Sequence, residues 1–171
     1  MDTVRVTGGT KKQRELAKEV AEFCIAELMP RLRSLDVDIT LGDCFSRGAE
    51  GFCCVAADEE RRVPRMFDIE IDSRIFKPLS KRWGPRGTVK KREDGYGDFV
   101  TCVTHEMVHV WQYCTGLLTE EFKPNFRVEW KGKSYPKTAY SKLPWERQAY
   151  RMQEQLAEEY EAAKTRFEKD A

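Results

Sequence analysis

The chain has 171 residues, and its 30 lysines and arginines nearly balance its 29 aspartates and glutamates, for a formal net charge of +1. That length suits one domain whose core needs no disulfide staples. The charge balance excludes a global field that would draw the whole protein to nucleic acid or to a membrane surface. No apolar run approaches a membrane span, and Met1-Asp2-Thr3-Val4-Arg5 lacks the apolar core of a signal peptide, so the expected compartment is the cytoplasm. The six cysteines (Cys24, Cys44, Cys53, Cys54, Cys102 and Cys114) include no Cys-x-x-Cys pair and sit mostly among apolar residues. They are expected to be reduced thiols that pack as small core residues.

Along the chain, Thr10 to about Met29 reads as a helix. Thr10 and Gln13 are set for a capping box, Leu16, Val20, Phe23, Cys24 and Leu28 form an apolar stripe, and Pro30 is expected to end or kink the element. Val37, Ile39 and Leu41 alternate with polar residues as a half-buried strand does, Gly51 to Ala57 is a more apolar strand, and Met66 to Asp72 has a clear period of two. These predict a small sheet of about three strands, antiparallel or mixed, with the last two antiparallel. From Phe76 to Gly97, Pro78, Gly84, Pro85, Gly87, Gly95 and Gly97 break regular structure, while Lys81, Arg82, Arg86, Lys90, Lys91 and Arg92 make the stretch basic. A loop of that length is either a substrate-facing segment or solvated chain.

Both histidines of the protein follow, in Thr101-Cys102-Val103-Thr104-His105-Glu106-Met107-Val108-His109-Val110-Trp111. On a helix the four-residue spacing stacks His105 and His109 on one face, where both imidazoles can reach one cation and Glu106 lies beside them. At about 100° per residue, Cys102, His105, Glu106, His109 and Tyr113 share one arc, and Phe99, Val103, Met107, Val110, Trp111 and Cys114 lie largely opposite. Asp98 is placed as N-cap and Gly116 as the residue past the end. The competing reading is two histidines and a glutamate on a solvated face; an amphipathic helix with a buried back favours a metal site.

Phe126 to Tyr135 alternates around Lys131-Gly132 and reads as a short hairpin, and Pro144 opens a last helix to about Lys169 with Trp145, Ala149, Met152, Leu156, Tyr160, Ala163 and Phe167 as its apolar stripe. A catalytic zinc takes about three protein ligands and one open position, so with no third histidine a carboxylate or thiolate must complete the set. Glu146, in the first turn of the last helix, is the first choice. It competes with a capping role, since a glutamate third in a helix often caps it. Glu129 on the hairpin is the second choice and Cys102, one turn before His105, the third. Only one such set can be assembled, which implies about one zinc per chain.

His105-Glu106-x-x-His109 followed by Glu146 on a later helix resembles a gluzincin metallopeptidase. The order of helix, small sheet, long loop, metal helix, hairpin and Pro-Trp-Glu helix resembles the short SprT-like proteins often encoded by phages, whose setting would be the host cytoplasm. The resemblance implies an α+β zincin-like domain over residues 1–171, with His105, His109 and Glu146 as ligands and Glu106 as general base. It also implies an edge strand over the cleft, for which Met66 to Asp72 is the candidate. The chain departs from SprT proteins in lacking a third histidine ligand and a zinc ribbon. It departs from thermolysin-type gluzincins in carrying Tyr150 four residues after Glu146, where those enzymes carry an aspartate.

The activity expected is hydrolysis of peptide bonds in a protein or peptide substrate, with Glu106 taking a proton from a metal-activated water and returning it to the leaving amine. Tyr135, Tyr140, Tyr150 and Arg147 are candidates to steady the developing oxyanion, and Tyr150 alternatively to orient His105. A rival expectation is a nucleic-acid-associated zinc protein whose basic residues Lys81, Arg82, Arg86, Lys90, Lys91 and Arg92 contact phosphate while Trp83 stacks on a base. A structural zinc site normally closes with four ligands, and no such set can be assembled around His105.

Overall fold

A computed structural model describes residues 2–76, 95–121 and 127–170. The basic stretch from Lys81 to Arg92, with Trp83, lies outside these residues. The described chain is α+β. Strand β1 (Thr3–Gly8) leads into helix α1 (Lys11–Leu28), then β2 (Asp36–Gly42), β3 (Gly51–Val55), β4 (Met66–Asp72), the central helix α2 (Tyr96–Cys114), β5 (Leu118–Glu121), β6 (Arg127–Trp130), β7 (Lys133–Ser134) and helix α3 (Pro144–Asp170). Short 3-10 turns precede β3, follow β4 and precede α3.

The main sheet has four strands in the order β1-β2-β4-β3, and the other sheet has three in the order β5-β6-β7. β1, β2 and β4 run parallel, while β3 is antiparallel to β4. The antiparallel pairing of β3 with β4 and the hairpin at 127–134 agree with the sequence pattern. β1 and β5 are additions to it. The assignment of Met66 to Asp72 as an edge strand is corrected: β4 is paired on both sides, and the edge beside α2 is β3.

The alternation along the strands sorts the faces. Val37, Ile39, Leu41, Phe67, Ile69 and Ile71 are buried on one side. On the other, Arg5 donates to Asp38 at 2.5 and 2.9 Å across β1 and β2. α1 starts with the expected reciprocal cap: the Gln13 backbone N–H donates to Thr10 Oγ1 at 3.3 Å, and the Thr10 N–H donates to Gln13 Oε1 at 2.7 Å. Gln13 also donates from Nε2 to the Ser73 carbonyl at 2.6 Å, tying the helix start to the end of β4. That end is held further by Asp72, whose buried carboxylate accepts from the backbone N–H groups of Cys44, Phe45 and Arg74 at 2.8–2.9 Å and from the Arg74 guanidinium.

The N-cap of α2 is Gly95, not Asp98. Gly95 has a φ of 66°, and a Cβ there would sit 2.5 Å from the Ile75 carbonyl oxygen, so both conformation and space require glycine. Asp98 lies in the first turn, where its charge suits the positive end of the helix. The C-terminus closes as a Schellman motif around Gly116 (φ 71°), with the Leu117 N–H donating to the Gln112 carbonyl and the Gly116 N–H to that of Tyr113, both at 3.0 Å. The amphipathic reading of α2 needs revision, because its polar arc is covered as well. Thr104, His105, Glu106, His109 and Gln112 are buried along with Phe99, Val103, Met107 and Val110. Tyr113 leaves the polar arc altogether: its hydroxyl donates to Glu120, and its ring lies 5.9 Å from that of Phe67.

Candidate metal centre

α2 and α3 build the centre. Helical spacing stacks His105 over His109, whose rings stand edge to face with centroids 4.8 Å apart and Nε2 atoms 3.1 Å apart. Leu143 precedes Pro144 at the start of α3 and offers no polar side chain for a reciprocal cap. Glu146 turns instead to the histidines, with one carboxylate oxygen 3.3 Å from His105 Nε2 and the other 3.6 Å from His109 Nε2. The three side chains are buried, and they form a group that could hold a metal ion, with one ligand atom from each lying within 4.8 Å of the others.

These distances fit a tetrahedral cation, because two donors about 2.0–2.1 Å from zinc at a tetrahedral angle stand about 3.3 Å apart. A second observation points the same way. Glu146 Oε2 is fully buried and is the one such side-chain polar atom among the described residues without a hydrogen-bond partner. An orphaned carboxylate oxygen in the interior is costly unless something positive meets it. Burial pushes the Glu146 carboxyl up, but His105 and His109, assisted by Tyr140, outweigh it and hold the group near a pKa of about 2.

Glu106 stands beside this set on the β3 side. Burial raises its carboxyl to a pKa of about 7; His105 opposes the rise and Glu146 adds to it. Gly51 of β3 makes room for it, since a Cβ at that position would lie 2.7 Å from Glu106 Oε1 and 3.2 Å from Cys102 Sγ.

The structure sorts the remaining candidates. Glu129 is not with the histidines: its carboxylate accepts from Ser134 Oγ at 3.3 Å and pairs with Arg127 at 3.6 Å on the hairpin. The hairpin register that pairs Glu129 with Ser134 dictates this placement. Cys102 is buried against Gly51 and lies outside the group that could hold a metal. Tyr140 interacts with the Glu146 carboxylate from an otherwise exposed position, and Tyr150 lays its ring against His105 with centroids 4.8 Å apart. His105 Nδ1 lies 2.7 Å from Gln153 Oε1, so Gln153 also orients the ring. Tyr135 packs its ring 6.0 Å from Trp145, and Arg147 is exposed; neither takes part in the centre's hydrogen bonds. Gln112 and Gln153 were not foreseen. Gln112 Oε1 lies 2.8 Å from His109 Nδ1, and Gln112 is completely buried.

Compared with models of protein families, with curated proteins and with solved structures, the chain matches none, so the reading of this centre rests on its own residues. No helix among the described residues is long and apolar enough to cross a membrane.

Proposed function

We propose that the protein is a zinc-dependent metallopeptidase of minimal zincin type, with His105, His109 and Glu146 as ligands and Glu106 as general base. The observation that carries this reading is the buried Glu146 carboxylate, which turns Oε2 to His105 Nε2 at 3.3 Å and Oε1 to His109 Nε2 at 3.6 Å with no hydrogen bond at Oε2, and a second buried carboxyl next to them. Bound there, zinc would polarise a substrate carbonyl and acidify a water.

The chain's own groups do the rest. Glu106, with a pKa near 7, takes the proton of the attacking water and later delivers it to the leaving amine; a base poised near the working pH does both well. Among the described residues β3 ends the sheet beside Glu106, and its edge is the one we propose an extended peptide pairs with. Tyr140, which meets the Glu146 carboxylate, and Tyr150, whose ring lies against His105, are the proposed donors to a developing oxyanion, ahead of Tyr135 and Arg147.

The test is metal analysis of the purified protein together with casein hydrolysis by wild type and Glu106→Gln. Expected are about one zinc per chain in both proteins and turnover in wild type alone, because the amide keeps size and polarity but cannot act as a base. Absence of zinc both after chelator-free purification and after reconstitution, or normal turnover by Glu106→Gln, refutes the reading.

A further inference from the structure

The amide of Gln112 is oriented by a group that cannot be flipped. Its Nε2 lies 3.0 Å from the backbone carbonyl of Trp145, and a carbonyl only accepts. The NH2 end of Gln112 therefore faces α3, where it also donates to Gln148 Oε1 at 2.9 Å, and the oxygen faces His109 Nδ1 at 2.8 Å. An oxygen at that distance requires a proton on Nδ1, which in the neutral ring leaves the lone pair of His109 on Nε2, the atom turned toward His105 and Glu146. Trp145 immediately precedes Glu146, so the side chain that sets the tautomer of one ligand also grips the backbone that carries another.

On the reading of this centre as a zinc site, we infer that Gln112 is a positioning residue with two functions: it locks His109 in the Nδ1–H tautomer and it tethers the first turn of α3 so that Glu146 meets the histidines. A carboxylate at this position would serve only the first. It accepts from His109 but has no proton to give the Trp145 carbonyl. The usual partnership of a carboxylate with a ligand histidine strengthens metal binding. Here Gln112→Glu is expected to weaken it.

Two measurements test this. Long-range nitrogen–proton correlation spectra of the metal-free protein, at a pH where the imidazoles are neutral, report the His109 tautomer without any variant. Zinc titration against a competing chelator then compares wild type with Gln112→Glu and Gln112→Met, each checked for folding by circular dichroism. Expected are the Nδ1–H tautomer of His109 in wild type and in Gln112→Glu, and a loss of zinc affinity of about ten- to a hundredfold in both variants. The Nε2–H tautomer in wild type overturns the inference whatever the metal does. Zinc binding by Gln112→Glu as tight as wild type or tighter overturns the tether. A wild type that takes up no zinc removes the metal reading itself and the inference with it, a result distinct from tight wild-type binding that the variants retain.

Discussion

Gly51→Ala tests whether the position of Glu106 controls turnover. The backbone at Gly51 lies outside the left-handed region, so alanine is permitted there by conformation, and only space opposes it. The new Cβ would stand 2.7 Å from Glu106 Oε1 and 3.2 Å from Cys102 Sγ. Restoring ordinary van der Waals contact moves the carboxylate or the strand by about 0.7 Å. A displacement near 1 Å in a catalytic group can cost about a hundredfold, so kcat/KM is expected to fall by about ten- to a hundredfold, or roughly 1.4–2.7 kcal/mol of transition-state stabilisation. Zinc affinity should stay at the wild-type value, because Gly51 does not contact His105, His109 or Glu146 through any of the atoms its Cβ would meet. Stability should change by about 1 kcal/mol or less, since overpacking is partly offset by the lower chain entropy of alanine in the unfolded state. Gly42→Ala is the control, because a Cβ there meets nothing within 4 Å. Peptide hydrolysis, chelator competition and urea unfolding on the three proteins give the answer. Wild-type kcat/KM in Gly51→Ala would refute the argument that this strand sets the position of the base.

Glu146→Gln should weaken zinc binding far more than folding, since the charge of the carboxylate is what a cation needs and the amide fits the same space. Glu129→Gln should leave affinity unchanged, because Glu129 is engaged on the hairpin with Ser134 and Arg127; the opposite pattern in a chelator titration would move the ligand to β6. Asp72→Asn should cost about 3 kcal/mol at neutral pH, because it leaves Arg74 and a set of buried backbone donors facing a neutral group. Burial pushes the Asp72 carboxyl up, but the Arg74 side chain and the N–H groups of Phe45, Arg74 and Cys44 outweigh it and hold the pKa below the ordinary carboxylate range. A depressed folded-state pKa means that this contribution is complete above the unfolded pKa of about 4 and is lost as pH falls through the lower folded value. The gap between wild type and Asp72→Asn in urea unfolding should therefore close on acidification, and a gap independent of pH would rule out the charge as its source.

What the sequence disclosed is what local chemistry decides. The Thr10 and Gln13 cap, the stop at Pro30 and the start of α3 at Pro144 involve neighbours a few residues apart, and all are found as read. The spacing of His105 and His109 is legible for the same reason, since helix geometry alone superposes them. β1 escaped notice although Val4 and Val6 alternate with polar residues. It is only six residues long, and its partner β2 follows a whole helix later. Gln112 and Gln153 escaped for a stronger reason. A glutamine at helical spacing looks the same in sequence whether it faces water or an imidazole; the packing of α3 on α2 makes the difference by bringing Gln153 to His105 and the Trp145 carbonyl to Gln112.

That packing also explains why an orphaned oxygen carries more weight here than a motif does. A helix that is polar on one arc would ordinarily turn that arc to solvent, yet α2 buries Thr104, His105, Glu106, His109 and Gln112. Burying such groups without partners costs about 1–3 kcal/mol each, so a stable fold has to satisfy them. Thr104 donates to the Thr101 and Gln153 carbonyls, and Gln153 and Gln112 meet the two histidines. Gln112 is itself met by α3 at both of its donors, and Glu106 relieves its burial by shifting toward the neutral form. Among the described residues one fully buried side-chain polar atom, Glu146 Oε2, has no hydrogen bond, and it faces His105 Nε2 at 3.3 Å. At the interface of α2 and α3 that oxygen and the two Nε2 atoms form a buried group that could hold a metal ion, and our proposal of zinc there rests on it.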